Sequence, residues 1–434
     1  MRCWSTLIWG AWAVLLPVVA LASVEAEQQL KDPDPKVREK AARQLGQEDN
    51  PANVTILATA VQDKDEKVRG AVVKSLIRLG TPASLPPLST AVRDGIPEIR
   101  LLAIDGLVNF YLPGYVDTGF GGFFRSVSKK VEGLFTDVDT AVVPADVKPD
   151  PDVIRTLGLT VNGAPDTQTR VRAARALGIL RAQDAVPELL KAAFSDNVDL
   201  INESLRAFGK IQDVSVGQRI LFLLNYPQKS VQESAASTLG VLRTEAAIPD
   251  LTRMFQNQDD KDVRAAALDA LAFMPTKDTV GLFAKSLDDK DKRLRTSAAL
   301  GLGRLRDPSY LGALERAEGA EKDTGVRLAL DFALVKESKM DPLRELVSNL
   351  SSRLHRGEAR PYLIELARDP KVRETLVPYL YSKDSDIRRN LCVVFGASGD
   401  SSSVSYLDVL LRDPDPEIAN EAGRAIRILH MRGM

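Results

Sequence analysis

Very few residues of this chain stand where they could do covalent or metal chemistry. There are two histidines, His355 and His430, and neither has a cysteine, a second histidine or a carboxylate cluster at ligand spacing. No glycine-rich phosphate loop of Walker type and no G-x-S-x-G elbow occurs. Arginine is the chemistry-bearing type that recurs in register: Arg38, Arg69, Arg100, Arg170, Arg264, Arg295 and Arg388. Such a line could form a basic groove for an anionic partner. It could instead form a structural ladder, each guanidinium bonding the acidic turns and helix ends of its neighbours, because a charge-assisted hydrogen bond is worth about 1.5–3 kcal/mol. The ladder is favoured: Asp-rich turns lie just upstream, total charge is balanced, and the line breaks at Ile201 and Gln232.

A second cluster is aromatic. Seven of the 21 aromatics that follow the first 22 residues fall between Phe110 and Phe135. Gly114, Gly119, Gly121 and Gly122 loosen the chain there. Phe120, Phe123, Phe124, Val127, Val131, Leu134 and Phe135 then recur at helical spacing, with Arg125, Ser128, Lys129 and Glu132 on the other side. With Tyr115 they form the candidate partner- or membrane-binding face. Burying seven large apolar side chains yields roughly 10–20 kcal/mol. Ordering some 16 residues costs about 16–32 kcal/mol. The helix therefore needs a surface: the rest of its own chain, a partner or second copy, or a membrane interface.

The elements that would position these residues come from a repeat. An apolar anchor, often followed by Arg, leads to two small residues four and five places on and to Leu-Gly at eight and nine. Val37-Arg38 leads to Ala41-Ala42 and Leu45-Gly46, and Leu294-Arg295 to Ala298-Ala299 and Leu302-Gly303. Anchors fall at 37, 68 and 99, at 169, 200, 231, 263 and 294, and at 387 and 418, spaced 31 or 32 apart within each group. One near Val326-Arg327 is blurred, and one expected near 356 is not readable. Offsets 0, 4, 5 and 8 share one face of a helix, and the glycine at offset 9 suits a helix end. A second apolar helix follows, as at Ala185–Leu190, and then an Asp-rich turn able to cap the next helix. A 31-residue unit cannot bury its apolar face alone, so stacked units must share one core.

The phrase D-x-x-V-R-x-x-A-A-x-x-L-G, as in Asp34 to Gly46, resembles the short HEAT-like repeat family, the type also seen in phycobilisome lyase subunits. The resemblance covers roughly residues 30–110 and 167–434. It implies an all-α fold, an α-solenoid of about 11–12 two-helix repeats of 31 residues with one aromatic-rich insertion. Residues 1–22 read as a signal peptide, 23–110 as N-terminal repeats, 111–166 as the insertion with its amphipathic helix, and 167–434 as the main array. Iron-dependent hydroxylases built from HEAT-like repeats carry several His-Glu pairs, and this chain has none.

Composition agrees with a soluble folded protein: 44% hydrophobic and 27% charged residues, with 58 basic against 59 acidic side chains and a formal charge of −1. No strong field draws in nucleic acid. Arg2 precedes an apolar run from Leu7 to Ala22 that ends in Ala20-Leu21-Ala22, a small-x-small cleavage pattern. An exported protein, periplasmic or extracellular, is expected, with an uncleaved anchor as the alternative. Cys3 and all three tryptophans lie inside that leader, so the mature chain keeps only Cys392, read as a buried small hydrophobe. These features point to a non-enzymatic exported scaffold, without cofactor, that binds a protein or peptide. Two alternatives stay open: a membrane-surface structural protein held by the 120–135 helix or the N-terminus, and an accessory subunit of an enzyme.

Overall fold

The computed structural model describes residues 25–116 and 141–433. The chain divides into two compact units, Met1–Val143 with Pro149–Ile211, and Pro144–Lys148 with Gln212–Met434. Among the described residues every regular element is an α- or 3-10 helix. The long helices of the first unit are α1 (Pro35–Gln47), α2 (Glu66–Leu79), α3 (Pro97–Tyr111), α4 (Pro151–Gly163), α5 (Thr167–Ile179) and α6 (Val198–Ile211). Those of the second are α7 (Lys229–Val241), α8 (Lys261–Phe273), α9 (Lys292–Leu305), α10 (Thr324–Lys336), α11 (Arg356–Leu366), α12 (Ser385–Ser398) and α13 (Pro416–Arg432). Shorter helices alternate with them, such as Val186–Ala193 and Ile248–Asn257, each with proline in its first turn.

One local design recurs in both units. An aspartate in extended conformation precedes the long helix, and its carboxylate accepts from free N–H groups of the first turn. Asp65 does so for Lys67 and Val68, Asp260 for Asp262 and Val263, and Asp323 for Gly325 and Val326. This satisfies donors that lack an intrahelical acceptor and sets negative charge at the positive end of the helix dipole. The inward stripe then meets the next repeat. Val68, Val72 and Leu76 are fully buried, as are the small pairs Ala41-Ala42, Ala173-Ala174 and Ala298-Ala299. In the first unit α1, α2, α3, α5 and α6 stack in that order. In the second, α7 to α13 stack in chain order, the arrangement of an α-solenoid.

Three details differ from the sequence expectation. Residues 151–163, assigned above to the 111–166 insertion, form α4, with Val153, Ile154, Leu157 and Val161 buried and Asp150 as its cap. Because α3 packs directly on α5, the 70-residue gap is one repeat plus 39 residues set between its two helices. The prolines suggested a loop, but Pro151 occupies the first turn, where a missing N–H costs nothing.

Second, the glycine at offset 9 does not end the helix. Gly178, Gly240, Gly303 and Gly396 lie inside α5, α7, α9 and α12, where the next long helix crosses. A Cβ on Gly303 would come 2.5 Å from the Ala333 Cα, and one on Gly240 2.6 Å from the Ala270 Cα. The chain turns left-handed three residues after Gly178, Gly240 and Gly303, at Arg181, Arg243 and Arg306. Third, long helices occupy both places where the rhythm was blurred or unreadable, α10 with Val326 buried and α11, which carries Pro361 in its interior.

Candidate functional site

The arginines of the first unit form a relay. Arg38 donates from Nε and Nη2 to the Asp63 carboxylate at 2.7 and 2.8 Å, and from Nη1 to the Asp32 carbonyl. Arg69 donates to the Asp94 carboxylate at 2.6 and 3.0 Å and to the Asp63 carbonyl at 2.8 Å. Arg100 reaches the Asp94 carbonyl, the Thr169 hydroxyl and the Asp166 carboxylate. Each guanidinium thus joins its own turn to the next. Burial opposes ionisation of Asp63, yet the bonds from Arg38 and from the Asp65 N–H hold its carboxyl below the ordinary carboxylate range.

The remaining arginines of the line vary. Arg295 pairs with Glu321 at 2.7 Å and Arg388 with Asp413 at 2.8 Å, in the second unit. The hydrogen bond to Arg388 comes first among the causes that hold Asp413 low. Arg170 bonds only the Ala164 carbonyl among the described residues. Arg264 donates to the Phe255 carbonyl and lies over the Phe255 ring.

Sequence reasoning missed three side chains that use the same seat, a bond to the carbonyl six residues back. Gln232 donates to Tyr226, Arg356 to Leu350 and Arg373 to Ala367. Arg373 also pairs with Asp400. The six-residue backward reach was a readable signal. It was hidden at Arg356 and Arg373 because the anchors lost their 31-residue spacing, and at Gln232, which stands in register, because the residue is not an arginine.

Of the aromatic face, Tyr115 is described and half-buried. Burial pushes its hydroxyl up to about 12, and nearby Asp105 pushes the same way. Asp105 in turn accepts from Arg172 Nη1 at 2.9 and 2.7 Å. Phe120, Phe123, Phe124, Val127, Val131, Leu134 and Phe135 lie outside the described residues, as does the leader. Cys392 is fully buried, and burial pushes its thiol up to about 12, so it stays protonated. His355 Nδ1 faces Glu358 Oε2 at 2.9 Å, and His430 is exposed on α13. Among the described residues no three His, Cys, Asp or Glu side chains converge to hold a metal ion, and no helix is long and apolar enough to cross a membrane.

One groove in the second unit crosses five successive long helices, α7 to α11, with a volume of about 420 Å³. Glu233 of α7, Asp262 and Asp269 of α8, the α10 cap Asp323 and Glu358 of α11 line it, together with Tyr362 of α11. From α9 come Lys292 and Arg293. Lys292 Nζ pairs with Asp323 at 3.1 Å and Arg293 Nη1 with Asp262 at 2.7 Å. Burial raises the Asp269 carboxyl above its ordinary value, against the attraction of Arg304 and a hydrogen bond from Ser297. Burial also raises Glu233, reinforced by Asp262 and Asp260. The Tyr362 ring packs on Phe332 with centroids 5.3 Å apart.

The sequence model of HEAT repeats matches residues 25–108, 202–272 and 256–334, together half of the chain. The chain belongs to the HEAT-repeat family. The model of the PBS lyase HEAT-like repeat also matches this HEAT-repeat protein, over residues 169–195. No curated protein matches it. Among solved structures it is similar to Kap121p bound to Ste12p and to Kap121p bound to Pho4p, at 13% identity and TM-scores of 0.46 and 0.44. Each comparison covers 97% of this chain and 57% of the solved chain, so this protein spans little more than half the length of those it resembles.

Proposed function

We propose that this HEAT-repeat protein is an exported, non-enzymatic scaffold that binds a protein or peptide through the open face of its long helices. The observation that carries the proposal is the groove across α7–α11. Each repeat contributes polar side chains to it in succession. A surface assembled this way suits an elongated partner better than a small substrate. Export rests on Arg2, the apolar run from Leu7 to Ala22 and the small-x-small end of that run.

The binding function is tested by crosslinking the protein in its native cell envelope and identifying what is joined to it. A discrete protein partner is expected. Recovery of the uncrosslinked chain alone would sink the scaffold. Export has a simple optical test, because Trp4, Trp9 and Trp12 are all the tryptophans in the chain. Protein isolated from the envelope should show tyrosine emission only, and indole emission would mean that the leader is retained.

A further inference from the structure

We infer that Asn53, Asn202 and Asn349 must stay unmodified for this chain to fold, and that it is exported across a membrane carrying no N-glycosylating enzyme, as into a periplasm. This inference rests on the export reading and goes beyond it, because it names the kind of compartment in which the scaffold folds and meets its partner.

The sequence holds three acceptor triplets for N-glycosylation: Asn53-Val54-Thr55, Asn202-Glu203-Ser204 and Asn349-Leu350-Ser351. Where the transferring enzyme is present, the asparagine Nδ2 bonds to the first sugar carbon of a lipid-pyrophosphate oligosaccharide. One amide proton is lost and the lipid pyrophosphate leaves. The chain receives the sugar as it emerges, before it folds. The product is bulky and hydrated, and it belongs on a surface. In a chain exposed to that enzyme, such triplets are expected in surface loops.

The fold places all three elsewhere. Asn53 is 0% exposed, Asn202 7% and Asn349 9%. Asn53 opens the short helix Asn53–Ala58 of the first unit. Asn202, Glu203 and Ser204 are all buried inside α6. Asn349 follows the short helix Leu343–Ser348 of the second unit.

Hydrogen bonding is a second ground, apart from burial. Asn53 Nδ2 donates to the Leu45 carbonyl at 2.9 Å and to Glu48 Oε2 at 3.0 Å. Two hydrogens meet two acceptors, so a sugar carbon in place of either would run into an oxygen. The Leu45 carbonyl belongs to α1 and cannot swing aside. Asn349 Nδ2 donates to the Glu345 carbonyl at 3.0 Å and to Glu345 Oε1 at 3.2 Å. A glycan at Asn53 or Asn349 would break these bonds, and one at Asn202 would have to leave through the packed side of α6. A chain glycosylated before folding would therefore be unable to close its core.

The test expresses the full chain through a eukaryotic secretory pathway, as the parent and as T55A/S204A/S351A. That variant removes the three triplets and keeps every asparagine. Thr55 is exposed, and the Ser204 and Ser351 hydroxyls bond only carbonyls four and three residues back. The parent should be glycosylated and lost from the secreted fraction. The variant should be secreted, with the circular-dichroism melt of the same variant made in a bacterial periplasm. Secretion of a folded parent in the same amount as the variant would overturn the inference. A second measurement needs no foreign host: the peptide containing Asn53, taken from protein of the native envelope, should have its unmodified mass. A glycan on that peptide would overturn the inference whatever the secretion result. The two readings fail separately. A chain recovered with its leader from the cell interior would remove export and leave the three asparagines barred from modification, whereas a folded, glycosylated chain would remove this inference and leave export.

Discussion

Asp331 on α10 carries the clearest pH signature. It is 3% exposed, and its Oδ2 has no hydrogen-bond partner. Burial, then Glu318 and Glu345 on the flanking short helices, push the carboxyl up to about 7 against the pull of Arg327. Unfolded, it ionises near its ordinary 3.8. Between these values the folded chain holds a proton that the unfolded chain has lost, so stability falls as pH rises from about 4 to 7, and the full penalty is present above that range. D331N should therefore stabilise the protein at pH 8 by about 2–4 kcal/mol, with the gain shrinking towards pH 4–5. Urea unfolding at the two pH values checks this, and a gain larger at the acid end would contradict it. At the ladder, R69A leaves Asp94 buried without its cation and should cost about 2–4 kcal/mol. R69K should recover little, because one ammonium cannot grip the Asp94 carboxylate with two bonds and also reach the Asp63 carbonyl.

At the scale of the helix, close approach is the controlling quantity. The sequence displays the recurring glycine but not its purpose, since a helix-ending glycine and a helix-crossing glycine occupy the same place in a one-dimensional pattern. The distance from Gly303 to Ala333 separates them. G303A should force α9 and α10 apart and destabilise by about 1–3 kcal/mol, measured by denaturant midpoint at unchanged slope. If G303A instead stabilised the chain, as alanine does inside an uncrowded helix, the crossing role would be wrong. The same limit hid α4. Its buried stripe of Val153, Ile154, Leu157 and Val161 was present in the sequence, but without the repeat phrase nothing marked it as part of the array. Pro361 and the uneven spacing around Arg356 obscured α11 in the same way.

For the whole molecule, stability is shared between neighbours. A segment cut to one repeat, residues 292–322, loses the surfaces of α8 and α10 that cover its apolar stripe and should be unfolded in water by circular dichroism. Stable helix in that fragment would contradict the shared core.

The helices that carry the repeat phrase, their Asp caps, their buried small pairs and the family were legible in the sequence, because each depends on residues within a turn or two of one another and returns at a regular interval. The partners of the arginines and the groove at α7–α11 were not. Asp63 lies 25 residues from Arg38, and the groove gathers side chains from Glu233 to Tyr362. Only stacking decides which residues of successive repeats face one another, because small shifts in helix crossing, set by side-chain contact, choose the pairs. Spacing alone predicted that something would line up along the array, and the packed structure determined which charges do.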